Sequence, residues 1–251
     1  MENAYLQKVR RFYAVDLSEG SEMAELSGTE FRHLKTVLRL KEGSEIVLFN
    51  GRGLEFIAVL ESIGKGIAKA RIISRKQTLD RSPVDIILFQ AFLKGDKPEF
   101  IAQKATELGV KQVVFFPAER SVARLKAIEA EKRVARLRKV TIEAAKQCGM
   151  GFLPEISYSE FIPAIKKSID GLKVFFYEGE RKNRLRDVIK THKGGSIYVV
   201  IGPEGGFSVD EAETIKKEGF ISVTLGKRVL KAETAAVAAL SILQYELGDV
   251  G

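Results

Sequence analysis

The chain has 251 residues, a formal net charge of +8, 45% hydrophobic and 29% charged residues, a globular composition with room for one large domain or two unequal ones. A single cysteine, Cys148, excludes an internal disulfide, and His33 and His192 are too few to suggest a metal site, so no bound metal is expected. The start lacks a basic segment followed by an apolar run and no stretch is apolar for the length of a membrane span, so a cytoplasmic protein with no membrane association is expected, its basic excess leaning toward a polyanionic partner.

From Phe12 to about Lys76, short β-like runs at Glu45–Phe49, Glu55–Leu60 and Ile67–Ile73 are separated by the turn signals Asn50-Gly51-Arg52-Gly53 and Gly64-Lys65-Gly66. That spacing predicts a small antiparallel sheet or barrel. One helix interrupts it at Gly28–Leu38, with Phe31, Leu34, Val37 and Leu38 on one apolar face. After the polar link Gln77–Pro83 the texture changes. Strands are predicted at Val84–Ala91, Val110–Phe116, Lys173–Tyr177, Ser196–Ile201 and Ile221–Leu225. Helices are predicted at Pro98–Leu108, Leu125–Gln147, Arg184–Lys190, Val209–Glu218 and Glu233–Leu247. This alternation argues for an α/β fold with a parallel sheet covered on both sides. The domain boundary is placed at residue 77, giving domains 1–76 and 77–251.

Two loops carry the chemistry. Val199–Ile201 runs into Gly202-Pro203-Glu204-Gly205-Gly206, and Ser208 with Glu211 forms a capping box that opens the next helix. A strand, a glycine-rich loop and a helix start in that order expose main-chain groups at the carboxyl edge of a sheet. The spacing is neither G-x-G-x-x-G nor a P-loop. Glu204 would repel phosphates, so an uncharged or cationic ligand suits the loop, with a tight structural turn as the plain alternative. The second loop, Thr224 to Lys231, gathers Lys227, Arg228 and Lys231 outside any helix, as ligand contacts or ordinary surface charge. The helix after it, apolar around most of its circumference, is either a buried core helix or the face of a dimer. The long helix at Leu125–Gln147 carries Lys132, Arg133, Arg136, Arg138 and Lys139 among acidic residues, which favours a solvated face over an RNA surface. Cys148 is expected to be a buried thiol and His33 a packed or surface side chain.

"IGPEGGFS" followed by "LGKRVLKAETA" resembles the paired C-terminal signatures of the SPOUT methyltransferases, and within them of the RsmE family, which methylates uridine N3 in small-subunit ribosomal RNA. Gln103–Val110, Glu119-Arg120-Ser121 and Glu143–Gly149 are similar to further stretches of that family. Arg10-Arg11-Phe12 and His33–Arg39 resemble its PUA-like RNA-binding domain. Departures fall at Lys146, Met150 and Lys231, and they are expected to bear on RNA contact rather than on cofactor binding.

The resemblance implies an N-terminal PUA-like β-barrel and a C-terminal trefoil-knot domain that binds S-adenosyl-L-methionine. Tyr177, Glu178, Gly202, Pro203, Glu204, Gly205, Gly206, Leu225, Gly226, Val229, Leu230, Thr234 and Ala235 would hold the cofactor. Arg228 or Lys231 would stabilise an anionic uracil, with Glu204 or water as the base. Arg10, Arg11, Arg32, Lys35 and Arg39 would contact the RNA, the partner being ribosomal RNA or the small ribosomal subunit, and the enzyme would be a homodimer. The rivals are a SPOUT methyltransferase acting on another RNA or on ribose, and a ribosome-assembly factor that binds RNA without catalysis.

Overall fold

Buried side chains alternate along the strands of the C-terminal half, so that one sheet carries a core on each face. The computed structural model describes residues 10–78, 81–121, 127–166, 170–192 and 194–251; the expected helix start at Leu125 lies outside the described residues. The chain divides into two compact units, Met1–Arg81 with Ile142–Leu153, and Ser82–Thr141 with Pro154–Gly251. No described helix is long and apolar enough to cross a membrane.

In the first unit, β1 (Arg11–Tyr13), β2 (Met23–Ser27), β3 (Glu45–Phe49), β4 (Leu54–Ile63) and β5 (Ile67–Gln77) form one sheet in the order β1-β3-β4-β5-β2. All pairs are antiparallel except β1 with β3. Every strand sends side chains into the same cluster, among them Phe12, Leu26, Leu48, Phe56 and Ala70, so the sheet curls around its own core as a PUA-like domain should. The β3–β4 turn is held by the Asn50 side chain, which accepts the N–H groups of Arg52 (2.8 Å) and Leu54 (3.1 Å).

The expected Gly28–Leu38 helix is only partly α-helical. α1 (Gly28–Arg32) passes into a π-helical turn at His33–Val37. Leu34 is buried as expected, but Val37 is 64% exposed. The π turn takes an extra residue per revolution, which rotates Val37 off the apolar face.

Two ionic clusters sit inside this unit. Glu55, 1% exposed, accepts from Arg11 (2.7 Å) and pairs with Lys76 (3.3 Å), and Arg11 also donates to the Met150 carbonyl. Lys146, 7% exposed, pairs with Glu30 (3.1 Å) and Glu143 (2.9 Å). Lys146 is therefore a cation held by two carboxylates of its own unit. Cys148, at the end of the same helix, is exposed rather than buried.

The second unit is built on six parallel strands, β6 (Ile86–Ala91), β7 (Gln112–Phe116), β8 (Glu155–Tyr158), β9 (Gly171–Phe176), β10 (Ser196–Ile201) and β11 (Ile221–Val223), in the order β11-β9-β10-β6-β7-β8. Ile86 and Leu88 of β6 enter one core, while Ile87 and Phe89 enter the other. The first core takes side chains from α2 (Lys97–Glu107), α3 (Ala127–Cys148), α5 (Leu185–Ile189) and α7 (Ala232–Leu247). The second takes them from α4 (Phe161–Lys166) and α6 (Val209–Lys217). Helices thus cover both faces, as the alternation of the sequence requires. β8 and α4 carry no strong pattern of their own and were not expected.

Gly171, which opens β9 at φ +133°, shows how closely these strands approach: a β-carbon there would overlap the Ser196 carbonyl of β10. Gly171→Ala should destabilise the protein by about 2 kcal/mol or more, read as a lowered midpoint in thermal unfolding, with a melting curve matching the unsubstituted protein as the contrary result.

Candidate functional site

Strand register places the site. Ile201 of β10 pairs with Phe176 of β9, which pairs with Val223 of β11, so three neighbouring strands end level with one another. The loops that follow start from one line at the carboxyl edge of the sheet, where open α/β folds bind ligands. They enclose a cavity of about 350 Å³, lined by Phe176, Tyr177, Glu178 and Arg181 after β9, Gly202, Pro203, Glu204, Gly206 and Phe207 after β10, and Thr224 to Lys231 after β11. Lys97 and Ala235 complete the wall from the first turns of α2 and α7. The volume is that of a site for a small organic ligand.

The β10 loop is held by hydrogen bonds at both ends. Ser208 accepts the Glu211 N–H and Glu211 accepts the Ser208 N–H, so the expected capping box is present at α6. Glu211 also accepts the Glu119 N–H (2.7 Å), and Arg120 donates to the Gly205 carbonyl (3.2 Å), which ties the Glu119-Arg120 segment to this loop. Glu204 reaches the other way. Its Oε1 accepts from Lys97 Nζ at 2.8 Å and from the Lys94 N–H at 3.3 Å. Burial pushes its proton affinity up, but the Lys97 hydrogen bond and the backbone N–H groups outweigh burial and hold the carboxyl below its ordinary value. The same hydrogen bond raises Lys97 above its ordinary value. Glu233, in the first turn of α7, lies 3.9 Å from Lys97. One ammonium therefore links the starts of α2 and α7 to the glycine loop.

The β9 loop is organised by Glu180. The Ser222 hydroxyl and the N–H groups of Lys182, Asn183 and Arg181 all donate to its carboxylate. The Ser222 hydrogen bond, followed by that from Lys182, lowers its pKa to about 2. Asn183 and Thr224 join the loop to the end of β11, the Thr224 N–H donating to the Asn183 carbonyl at 2.8 Å. In the third loop the Thr224 hydroxyl donates to the Gly226 carbonyl and accepts the Gly226 N–H, closing the turn. Lys227, Arg228 and Lys231 are exposed, and so is Val229 at 76%.

Of the residues expected to hold a cofactor, Tyr177, Glu178, Gly202, Pro203, Glu204, Gly206, Leu225, Gly226, Val229, Leu230 and Ala235 line the cavity. Gly205 and Thr234 stand outside its lining. Arg228, Lys231 and Glu204, expected to act on the substrate, all line it. Lys97 and Arg181 were missed. Nothing in "KGDKPE" or "EGERK" announces a site, since both read as charged surface loops.

In the first unit Arg10, Arg32, Lys35 and Arg39 are exposed. Arg39 takes the left-handed conformation, φ +51°, just past the π turn, an arrangement seldom adopted outside glycine and asparagine. Arg11 does not share that exposure, because its side chain is 8% exposed and bound to Glu55. On α3, Arg133 and Arg136 pair with Glu99, and Arg138 donates to the Ile156 carbonyl. Those three cations serve the unit's own packing.

The RNA methyltransferase domain model matches residues 80–244, and the RNA methyltransferase PUA domain model matches residues 26–73. The ribosomal RNA small subunit methyltransferase E of Bacillus subtilis is 30% identical over 88% of this chain and 89% of its own length. Among solved structures, a methyltransferase from Legionella pneumophila in complex with bound SAM superposes with a TM-score of 0.90 at 32% identity, over 97% of this chain and 100% of the other. The ribosomal RNA small subunit methyltransferase E of Neisseria gonorrhoeae bound to S-adenosyl methionine gives 0.88 at 33%, with the same coverage. With likeness of this extent in both halves, the chain belongs to the ribosomal RNA small subunit methyltransferase E family.

Proposed function

We propose that this protein transfers a methyl group from S-adenosylmethionine to N3 of a uridine in small-subunit ribosomal RNA. The observation that carries the reading is a cavity whose floor is glycine-rich main chain and whose rim presents Arg228 and Lys231. The fit to the cofactor rests on the character of the lining. Ile201, Phe207, Leu225 and Leu230 offer apolar surface for a purine, and the exposed main chain of the loops offers donors and acceptors. Glu204 does not make the floor anionic, because Lys97 neutralises it.

When bound, S-adenosylmethionine supplies a methyl group on a positively charged sulfur. The chain's own residues align the acceptor and stabilise it. Uridine N3 is a poor nucleophile until it loses its proton, so the uracil anion is the state to favour. Arg228 is assigned to that anion, with Lys231 beside it in the same loop. Glu204 is assigned to holding the loop. A carboxylate kept ionised by a lysine accepts protons weakly, so the N3 proton is assigned to solvent.

Arg10, Arg32, Lys35 and Arg39 are proposed as the phosphate contacts of an RNA-binding domain at residues 1–76, serving a catalytic domain at 77–251. Arg11 is left out, since its side chain is buried and paired with Glu55. We also propose a homodimer. Val237, Ala238, Ser241 and Ile242 of α7 are only partly buried, and Tyr245 is 68% exposed along the same side. Light scattering should report twice the chain mass, and a monomer would remove this assignment.

The reading as a whole is tested by incubating the protein with S-adenosylmethionine and small-subunit RNA and digesting the product to nucleosides. 3-Methyluridine is expected; methylated ribose or another base would point to a different substrate. Arg228→Ala should lower turnover about 100-fold or more, with cofactor affinity measured by calorimetry almost unchanged. Intact turnover in that variant would remove Arg228 from the chemistry. Lys97→Met should weaken cofactor binding about fivefold, and Lys97→Arg should restore most of it. Because Glu204 is depressed and Lys97 raised, their pairing persists across the neutral range and is lost only as acid protonates Glu204 below its ordinary value. Cofactor affinity should therefore be flat from about pH 6 to 8, and a steep change within that window would argue against the clamp.

A further inference from the structure

The cavity has two carboxylates in its lining, and they are in opposite circumstances. Glu204 is taken up by Lys97 and by the Lys94 N–H. Among the described residues, no side chain or main-chain N–H donates to the carboxylate of Glu178, which stands in the lining without a protein partner.

The main chain that carries it is nevertheless held in place. Gly206, at φ +70°, passes directly against it: a β-carbon on Gly206 would come within 2.9 Å of Glu178 Oε1. The Arg181 guanidinium donates to the Glu178 main-chain carbonyl. Two residues on, Glu180 gathers three loop N–H groups and the Ser222 hydroxyl. The loop is thus tied down immediately after Glu178, and its acid group is seated on a glycine.

A carboxylate has two acceptor oxygens and no donor. It cannot satisfy the ring nitrogens of a purine and would repel a ligand carboxylate, whereas a vicinal diol offers it two O–H donors. Glu178 is also the second residue beyond β9, at the carboxyl edge of a parallel sheet. In nucleotide-binding α/β sheets, an acidic residue beyond a strand end accepts ribose hydroxyls. We infer that Glu178 is the specificity-determining residue for ribose, accepting hydrogen bonds from the vicinal hydroxyls of the bound nucleoside. This rests on the cofactor reading given above.

The test is calorimetry with S-adenosylhomocysteine and its 2′-deoxy and 3′-deoxy analogues, against the unsubstituted protein and Glu178→Ala. The neutral sulfur of these probes removes any contribution from a sulfonium charge. The unsubstituted protein should prefer the ribose compound by roughly 10-fold to 100-fold over at least one deoxy analogue, the range of a hydrogen bond to a charged group. In Glu178→Ala that preference should vanish, with the ribose compound weakened to the level of the deoxy analogues and the deoxy affinity unchanged. A variant that keeps the preference, or that loses affinity for all three compounds alike, overturns the inference while leaving the cofactor reading in place. Failure of the unsubstituted protein to bind S-adenosylhomocysteine at all overturns both. Unchanged thermal unfolding of the variant shows that the loop is still folded, and Glu178→Gln, which keeps one acceptor oxygen, should recover part of the preference.

Discussion

The site depends on the parallel pairing of β9 between β10 and β11. Parallel strands point their carboxyl ends the same way, and here three of them stop level at Phe176, Ile201 and Val223. The loops that follow have no choice but to meet. β6, on the other side of β10, brings Lys94 and Lys97 to the same edge. Gly171 makes the close pairing possible at the far end of the strand, so a residue remote from the cavity sets the alignment on which the cavity rests.

On that frame, electrostatics divides the labour among acidic groups with the same chemistry. Glu180 is surrounded by donors and shapes the β9 loop. Glu204 is paired with an ammonium and shapes the β10 loop. A carboxylate whose hydrogen-bonding capacity is satisfied by its own protein has little left for a ligand. Glu178, seated on Gly206, retains its capacity. The role follows from the partner each carboxylate finds, and nothing about the residue type alone distinguishes them.

This is also where legibility in the sequence stops. The capping box at Ser208 and Glu211, the glycine loop and the alternation of strands and helices are local features, and local periodicity reveals them. So do the two loops of the site, because glycine and cation content mark them. The order β11-β9-β10-β6 is a long-range fact and leaves no periodic trace. The resemblance to a known family, carried by "IGPEGGFS" and "LGKRVLKAETA", supplied what spacing could not, including the expectation of a threaded backbone, which connection rules would have argued against. Lys97 was invisible because its partners lie 107 residues further on at Glu204, and further still at Glu233. The π turn at His33–Val37 was hidden as well: an α-helical reading of the same residues gives a plausible apolar face, and only the extra residue in the turn exposes Val37.

The basic excess of the sequence takes on a different meaning once each cation is placed. Arg11 and Lys146 are buried against Glu55 and Glu30, and Arg133, Arg136 and Arg138 are tied to Glu99 and Ile156. Each of these side chains is engaged by an acid or a carbonyl of its own unit, a role that has nothing to do with RNA. Exposed cations flank the π turn at Arg32, Lys35 and Arg39 and line the cavity at Lys227, Arg228 and Lys231. A formal charge of +8 is therefore a poor guide to where a polyanion would bind. Both of these groups lie on short segments whose backbone is held by unusual geometry or by a tight turn. A phosphate chain meeting rigid cations loses less entropy in ordering them than one meeting flexible side chains on a helix face. By that reasoning the π turn and the Thr224–Lys231 loop are proposed, ahead of the more densely charged α3, as the surfaces that meet RNA.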